Sequence, residues 1–250
     1  MKLHQIILCL FIIRYYGSID KQIEEAFLEN SIPCLDVESQ QYQKRPKPHT
    51  IINIQLGLLG VYSFSASHME LKADIYMYQE WADIRCRFNA TNGQRNLTIY
   101  TSPSGRSHRG LENLWQPDTQ ILNSKSTEIT ETVTHIENKG VVISRTRLSV
   151  TATCPMDLTL FPMDRQTCSF FLQSSAHPDN EVSYRWSENA SLELLQGIKY
   201  QDGMMPDVVL VGYRIRDSKS FPDQLTGGIF DQVIVDLILE RRLEYFLWEV

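Results

Sequence analysis

Cys154 and Cys168 stand with thirteen residues between them, in the run Cys-Pro-Met-Asp-Leu-Thr-Leu-Phe-Pro-Met-Asp-Arg-Gln-Thr-Cys. A bond between them closes one compact loop, and in the chain-entropy account a closure of that length stabilises by about 3 kcal/mol. Inside the loop, Phe161-Pro162-Met163-Asp164 sets an apolar tip, a residue of fixed φ and a carboxylate in a row. A loop stapled at its base and apolar at its tip is built to press on a second body.

Such a bond needs an oxidising compartment, and the N-terminus supplies one. Residues 1–17 read as a secretory signal: Lys2 is the positive end, Ile6-Ile7-Leu8-Cys9-Leu10-Phe11-Ile12-Ile13 the apolar core, and Gly17-Ser18 the small-residue exit. Cys9 leaves with the signal. Four cysteines then remain (Cys34, Cys86, Cys154 and Cys168), an even number that permits full pairing. Spacing and export together predict the Cys154–Cys168 bond. The partners of Cys34 and Cys86 are not fixed by sequence, and a bond between those two is one arrangement. The sequons at Asn89, Asn96 and Asn189 fit glycan acceptors on an exported surface. A pI near 5.5 without a basic stretch excludes nucleic acid as a partner.

Hydrophobic periodicity is mostly that of strands. Ile52, Ile54, Leu56 and Leu58 alternate with polar or small neighbours, and Leu59 and Val61 then shift the parity, which predicts a bulge near Gly57–Gly60. Leu71, Ala73, Ile75 and Met77 point one way; Lys72, Asp74, Tyr76 and Tyr78 point the other. Further strands are predicted at Val141–Ala152, Ser169–Gln173, Val208–Arg214 and Ile229–Leu239. One amphipathic helix, capped by Asp20, spans Asp20 to Asn30. The fold class is therefore all-β: an immunoglobulin-like antiparallel β-sandwich with an N-terminal α-helix.

Catalysis finds little footing. The histidines show no metal-ligand spacing, and no Gly-x-Ser-x-Gly, phosphate-binding loop or His-Glu-x-x-His occurs. Asp157 and Asp164 share the cysteine-bounded loop, where two carboxylates are far more often solvated or ion-paired than an acid/base couple. The reading is a non-enzyme with no cofactor and no metal.

Four stretches, in order, resemble the Cys-loop (pentameric) ligand-gated ion channels. Gln79-Glu80-Trp81-Ala82-Asp83-Ile84-Arg85 is similar to the Gln-x-Trp-x-Asp-x-Arg segment of that family's anion-channel branch, the GABA-, glycine- and glutamate-gated type. Trp115-Gln116-Pro117-Asp118-Thr119 matches its Trp-x-Pro-Asp-Thr segment, and the Cys154–Cys168 run resembles its signature loop. Glu240-Arg241-Arg242-Leu243-Glu244-Tyr245-Phe246 is similar to the basic hinge that enters the first membrane helix. The residue types have ordinary reasons: Trp81 and Trp115 as core anchors, Pro117-Asp118 as a rigid turn with a capping carboxylate, Arg241 as a fork for an acidic partner.

The resemblance implies an extracellular ligand-binding domain over 18–244, with 245–250 opening a first transmembrane helix. It implies a small neurotransmitter-like ligand held between subunits of a homo- or hetero-pentamer at the outer side of the cell membrane. One subunit would offer three loops, Pro117–Asn123, Gln173–Pro178 and Phe221–Phe230, and with them Gln120, Ser174, Ser175 and Phe230. Its neighbour would present Tyr76, Tyr78 and Arg145. The chain departs from the amine-binding members, whose aromatic box attracts a cation: Ser175 stands where a ring is usual, and Tyr78 where GABA- and glutamate-gated members carry a basic residue. Arg145 is the candidate carboxylate receptor in its place. Asp164 and Arg241 are expected to pair and couple ligand binding to gating. Two other expectations are a secreted, pore-less binding or decoy protein, which an end at Val250 would imply, and a structural subunit that assembles without binding ligand.

Overall fold

The computed structural model describes residues 34, 44–46, 48–89, 96–101, 114–187, 207–219, 222, 227–243 and 245. The signal, the helix expected at 20–30 and Asn189 lie outside them. Among the described residues ten strands make two sheets: β1 (Thr50–Ser65), β2 (Glu70–Ala82), β3 (Asn96–Thr101), β4 (Thr119–Ile121), β5 (Ser124–Glu137), β6 (Val141–Thr153), β7 (Arg165–Ser174), β8 (Val182–Trp186), β9 (Val208–Lys219) and β10 (Asp231–Arg241). The six-stranded sheet runs β3-β5-β6-β2-β1-β8 and the four-stranded sheet β4-β7-β10-β9. Every pair is antiparallel except β1–β8, which is parallel.

The alternation read in β2 is the alternation of its burial. Leu71, Ala73, Ile75, Met77, Gln79 and Trp81 are buried, whereas Lys72, Tyr76, Tyr78 and Glu80 are not. β6 follows suit with Val142, Ser144, Thr146, Leu148, Val150 and Ala152 inward. The parity shift in β1 is a register irregularity between Leu58 and Gly60, with a second between Val61 and Ser63. Central β10 is buried on both faces, because Asp236 on its outer side is covered by Arg216, whose Nε and Nη2 each lie 3.0 Å from a carboxylate oxygen. Ser169 adds a hydrogen bond of 2.6 Å to the same carboxylate.

Gly140 makes the β5–β6 turn at φ 83°, and a Cβ there would sit 2.6 Å from the Asp83 carbonyl oxygen. Its own carbonyl accepts the Asp83 N–H at 2.8 Å. Only glycine meets both demands. Asp83 in turn grips Arg85 through Nε (2.8 Å) and Nη2 (2.7 Å), fixing the 3-10 turn Ile84–Cys86. Cys86 of that turn is bonded to Cys34, and Cys154 to Cys168, with Cα separations of 4.9 and 5.0 Å. Trp81 meets Trp115 edge to face at 5.9 Å between ring centroids, tying the six-stranded sheet to the segment that leads into β4. Among the described residues no helix is long and apolar enough to cross a membrane.

The Cys154–Cys168 bond adds a covalent cross-link, beyond the main chain itself, between the residue after β6 and β7. Cys168→Ser is expected to cost about 2–5 kcal/mol, read as a lower urea midpoint. Non-reducing peptide mapping that found both thiols free would contradict it.

Candidate functional site

Three groups of side chains stand out, each set by strand register. The first lies on the outward face of the six-stranded sheet. β2 and β6 pair Tyr78 with Arg145 and Tyr76 with Arg147. The Tyr76 and Tyr78 rings tilt against each other at 6.2 Å, and the Arg145 guanidinium sits 5.2 Å from the centre of the Tyr76 ring, within cation–π range. Glu131 lies 3.8 Å from Arg145, with both side chains more than a third exposed, so the pair is worth about 0–1 kcal/mol. Arg147 is differently engaged: it holds Asp74 at 3.2 Å, and Asp74 also accepts the Tyr62 hydroxyl at 3.2 Å. Of these two arginines, Arg145 has the longer and weaker ion pair.

The second group is the cluster of loops on the four-stranded sheet. Asp118 organises it. One carboxylate oxygen accepts Ser174 Oγ at 2.7 Å, the other Ser175 Oγ at 2.8 Å and the Ala176 N–H at 2.6 Å. Ser174 is 1% exposed and also accepts the His177 N–H at 2.8 Å, so it shapes the loop from beneath. Ser175 and Gln120 are exposed, Gln120 opposite Gln173 across the β4–β7 ladder. Phe230 is half-buried immediately before β10.

Sequence reasoning passed over two residues here. Tyr184 on β8 shares a hydrogen bond of 2.8 Å with Thr119, and its N–H donates to Asp231 at 3.0 Å. His177 joins Glu181 at 2.9 Å and tilts over Trp115 at 6.3 Å. Tyr184 thereby ties the first loop to the base of the third. A tyrosine on a short strand carries no sequence signal for such a role.

Burial disfavours the charged form of Asp118, but its donors from Ser174, Ser175 and Ala176, with His177 nearby, outweigh this and hold the carboxyl below its ordinary value of 3.8. Its stabilising contribution is complete above that value and is lost as pH falls through the lower folded value. Asp118→Asn is therefore expected to cost about 1–3 kcal/mol at neutral pH and to flatten the acid limb of stability measured by denaturation across pH. Glu70, Asp157 and Asp236 are shifted the same way and leave a residual limb. An acid limb unchanged by the substitution would contradict this.

The third group sits where the cysteine-bounded loop meets the end of β10. Arg241 Nε lies 2.9 and 3.1 Å from the two Asp164 oxygens, with both side chains 3% exposed. Its guanidinium is also 4.7 Å from the Phe64 ring centre and 5.1 Å from that of Phe161. Gln166 donates to Asp164 and to the Asp157 carbonyl. Below this buried knot the loop tip is open: Leu160 is 70% and Met163 71% exposed. Asn89 and Asn96 are exposed as well, three residues past the 3-10 turn and at the start of β3. Among the described residues no three His, Cys, Asp or Glu side chains gather as a metal site.

The sequence profile of the neurotransmitter-gated ion-channel ligand binding domain matches residues 35–243. The gamma-aminobutyric acid receptor subunit pi of Rattus norvegicus is 28% identical over 232 residues, which cover 88% of this chain and 48% of that protein. Subunit gamma-3 of the same receptor from Homo sapiens is 31% identical over 219 residues, covering 83% and 43%. The chain spans about half the length of the curated relatives it matches. With the profile running from just behind the Cys34 bridge to just past Arg241, the chain belongs to the ligand-binding domain family of the neurotransmitter-gated ion channels.

Proposed function

We propose that the chain is the extracellular ligand-binding part of an anion-channel subunit of the gamma-aminobutyric acid receptor kind, assembled with like or related subunits into a pentamer. Its ligand is a small zwitterionic amino acid held between two subunits. Gln120, Ser175 and Phe230 of one chain face Tyr76, Tyr78 and Arg145 of the next. Arg145 takes the carboxylate, and the Phe230 and Tyr76 rings attract the amine. Residues 1–17 are the export signal, 18–244 the extracellular part, and 245–250 the opening of the first membrane helix. Helical backbone at Leu243 and Tyr245 supports that boundary. Asn89, Asn96 and Asn189 carry glycans on the outer side.

The observation that carries this reading is the buried Asp164–Arg241 pair beside an exposed apolar loop tip. β10 leaves the third loop at Asp231 and reaches Arg241 at the end of its 11 residues, a span of roughly 33 Å. Movement of the third loop over a ligand is thus passed along one continuous, centrally placed strand to the cysteine-bounded loop. Ligand favours the state in which that loop has shifted against the membrane part.

In a receptor completed with the membrane-spanning part of a relative, Arg241→Ala is expected to abolish agonist-evoked current. Removing one partner of a buried pair costs about 3–5 kcal/mol. Arg242→Ala is milder. Exchanging the charges, Asp164→Arg with Arg241→Asp, restores part of the current. Full current from Arg241→Ala at equal surface expression would remove the pair from the mechanism.

A further inference from the structure

The chain changes sheets twice around the cysteine-bounded loop. β4 ends at Ile121 in the four-stranded sheet and β5 starts at Ser124 in the six-stranded one, so Leu122 and Asn123 make the first crossing. The second is the loop itself, which leaves β6 at Thr153 and enters β7, where Cys168 lies. One side chain joins the two crossings. Asn123 Nδ2 donates to the Thr153 carbonyl at 3.0 Å and to the Ser169 carbonyl at 2.7 Å. Thr153 stands immediately before Cys154, and Ser169 immediately after Cys168. Asn123 Oδ1 accepts the Phe171 N–H at 3.4 Å, and its main-chain carbonyl accepts the Thr153 N–H at 2.9 Å.

The chemistry calls for asparagine. Two carbonyls and an N–H are met by one short amide that carries two donors and an acceptor. Aspartate has that shape without the donors, and glutamine sets them one methylene further out. An asparagine that served its turn alone would bond within the turn, a task that Ser124 Oγ performs here by donating to the Ile121 carbonyl at 2.7 Å. Asn123 instead reaches partners 30 and 46 residues away. The β4–β7 ladder stops at Ile121 opposite Leu172, and the bond from Leu122 N–H to the Phe171 carbonyl (2.8 Å) carries it one step further, up to Asn123. At its other end β4 starts with Thr119, beside Asp118, where the hydroxyl meets Gln79 and Tyr184. β4 is thus gripped at the first loop by one end and at both roots of the cysteine-bounded loop by the other.

We propose that Asn123 is a positioning residue for the ligand response. It makes the first loop and the two roots of the cysteine-bounded loop move as one body, so ligand held by the first loop acts on the loop tip by a path separate from β10. The relay of ligand rests on the function proposed above. The mechanical linkage does not, and the two are tested apart.

The linkage is read in the secreted full chain by hydrogen exchange of residues 155–164, inside the cysteine-bounded loop. Thr119→Val, which removes the hydroxyl bonds at the start of β4, is expected to speed that exchange about threefold or more, and to add nothing once Asn123→Ala is present. An effect that persists in Asn123→Ala, or none in the parent chain, overturns the proposal. The relay is read in a receptor completed with a relative's membrane part, at equal surface expression. Asn123→Asp is expected to lower the maximal current evoked by gamma-aminobutyric acid about tenfold, while that agonist still protects Tyr78→Cys from a charged thiol reagent at a concentration within about threefold of the parent's. Asn123→Ser, which keeps a donor, loses less current and is read in its place where Asn123→Asp does not reach the surface. Full current from both variants, or protection lost together with current, overturns the relay. A parent receptor without any current would refute the ligand reading alone, and the exchange result would still decide the linkage.

Discussion

The outward placement of Tyr76, Tyr78 and Arg145 depends on the pairing of β2 with β1 on one side and β6 on the other. The β2–β6 ladder runs from Glu70 to Ala82 with no slip. Because side chains alternate with a period of two, a shift of β2 by one residue would turn Tyr76 and Tyr78 into the core, away from Arg145, and put Met77 and Trp81 into solvent. The register is held by burial of six inward side chains on β2, two of which engage the facing segment directly: Trp81 against Trp115, and Gln79 against Thr119. One ladder thus fixes both the outward face of Tyr76, Tyr78 and Arg145 and the inward face of Met77, Gln79 and Trp81.

Two aspartates then anchor the ends of the other sheet. Asp118 gathers the loops at one end, and Asp164 locks the last residue of β10 at the other. They differ in kind. Asp118 is stabilised by neutral donors and stays partly solvated, so replacing it loosens a loop. Asp164 and Arg241 have both left water, and each is tolerable only because the other is there. A contact whose loss is so costly suits a switch point, because its two partners move together or not at all.

Much of the sandwich was legible from sequence because β1, β2, β6 and β10 bury one or both faces and must show it in their side chains. β5 was not: Ser124–Thr130 reads as a polar loop, yet forms a strand because β6 offers it backbone partners while its side chains stay in water. β9 ran past the predicted Arg214 to Lys219 for a similar reason, since Arg216 and Asp217 face out at a sheet edge. Of the candidate site, Tyr76, Tyr78, Arg145, Asp164 and Arg241 were all named from the resemblance, and strand parity alone put the two tyrosines on one face of β2. Ser174 was named as a contact residue, and its hydroxyl is committed to Asp118 and the loop backbone. The Tyr184–Thr119 and His177–Trp115 contacts were invisible, because each joins residues far apart in the chain that only the packed sheets bring together.

The central claim, that the outward face of β2 and β6 meets the ligand, is tested most directly by single cysteines at Tyr76, Met77, Tyr78 and Arg145 in a receptor completed with a relative's membrane part. Each is treated with a charged thiol reagent with and without gamma-aminobutyric acid. The account predicts modification at 76, 78 and 145, slowed by about tenfold or more when agonist occupies the site, and little reaction at 77, where the native side chain is 6% exposed. Reaction at 77 as fast as at 76, or agonist that leaves 76, 78 and 145 unprotected, would contradict it.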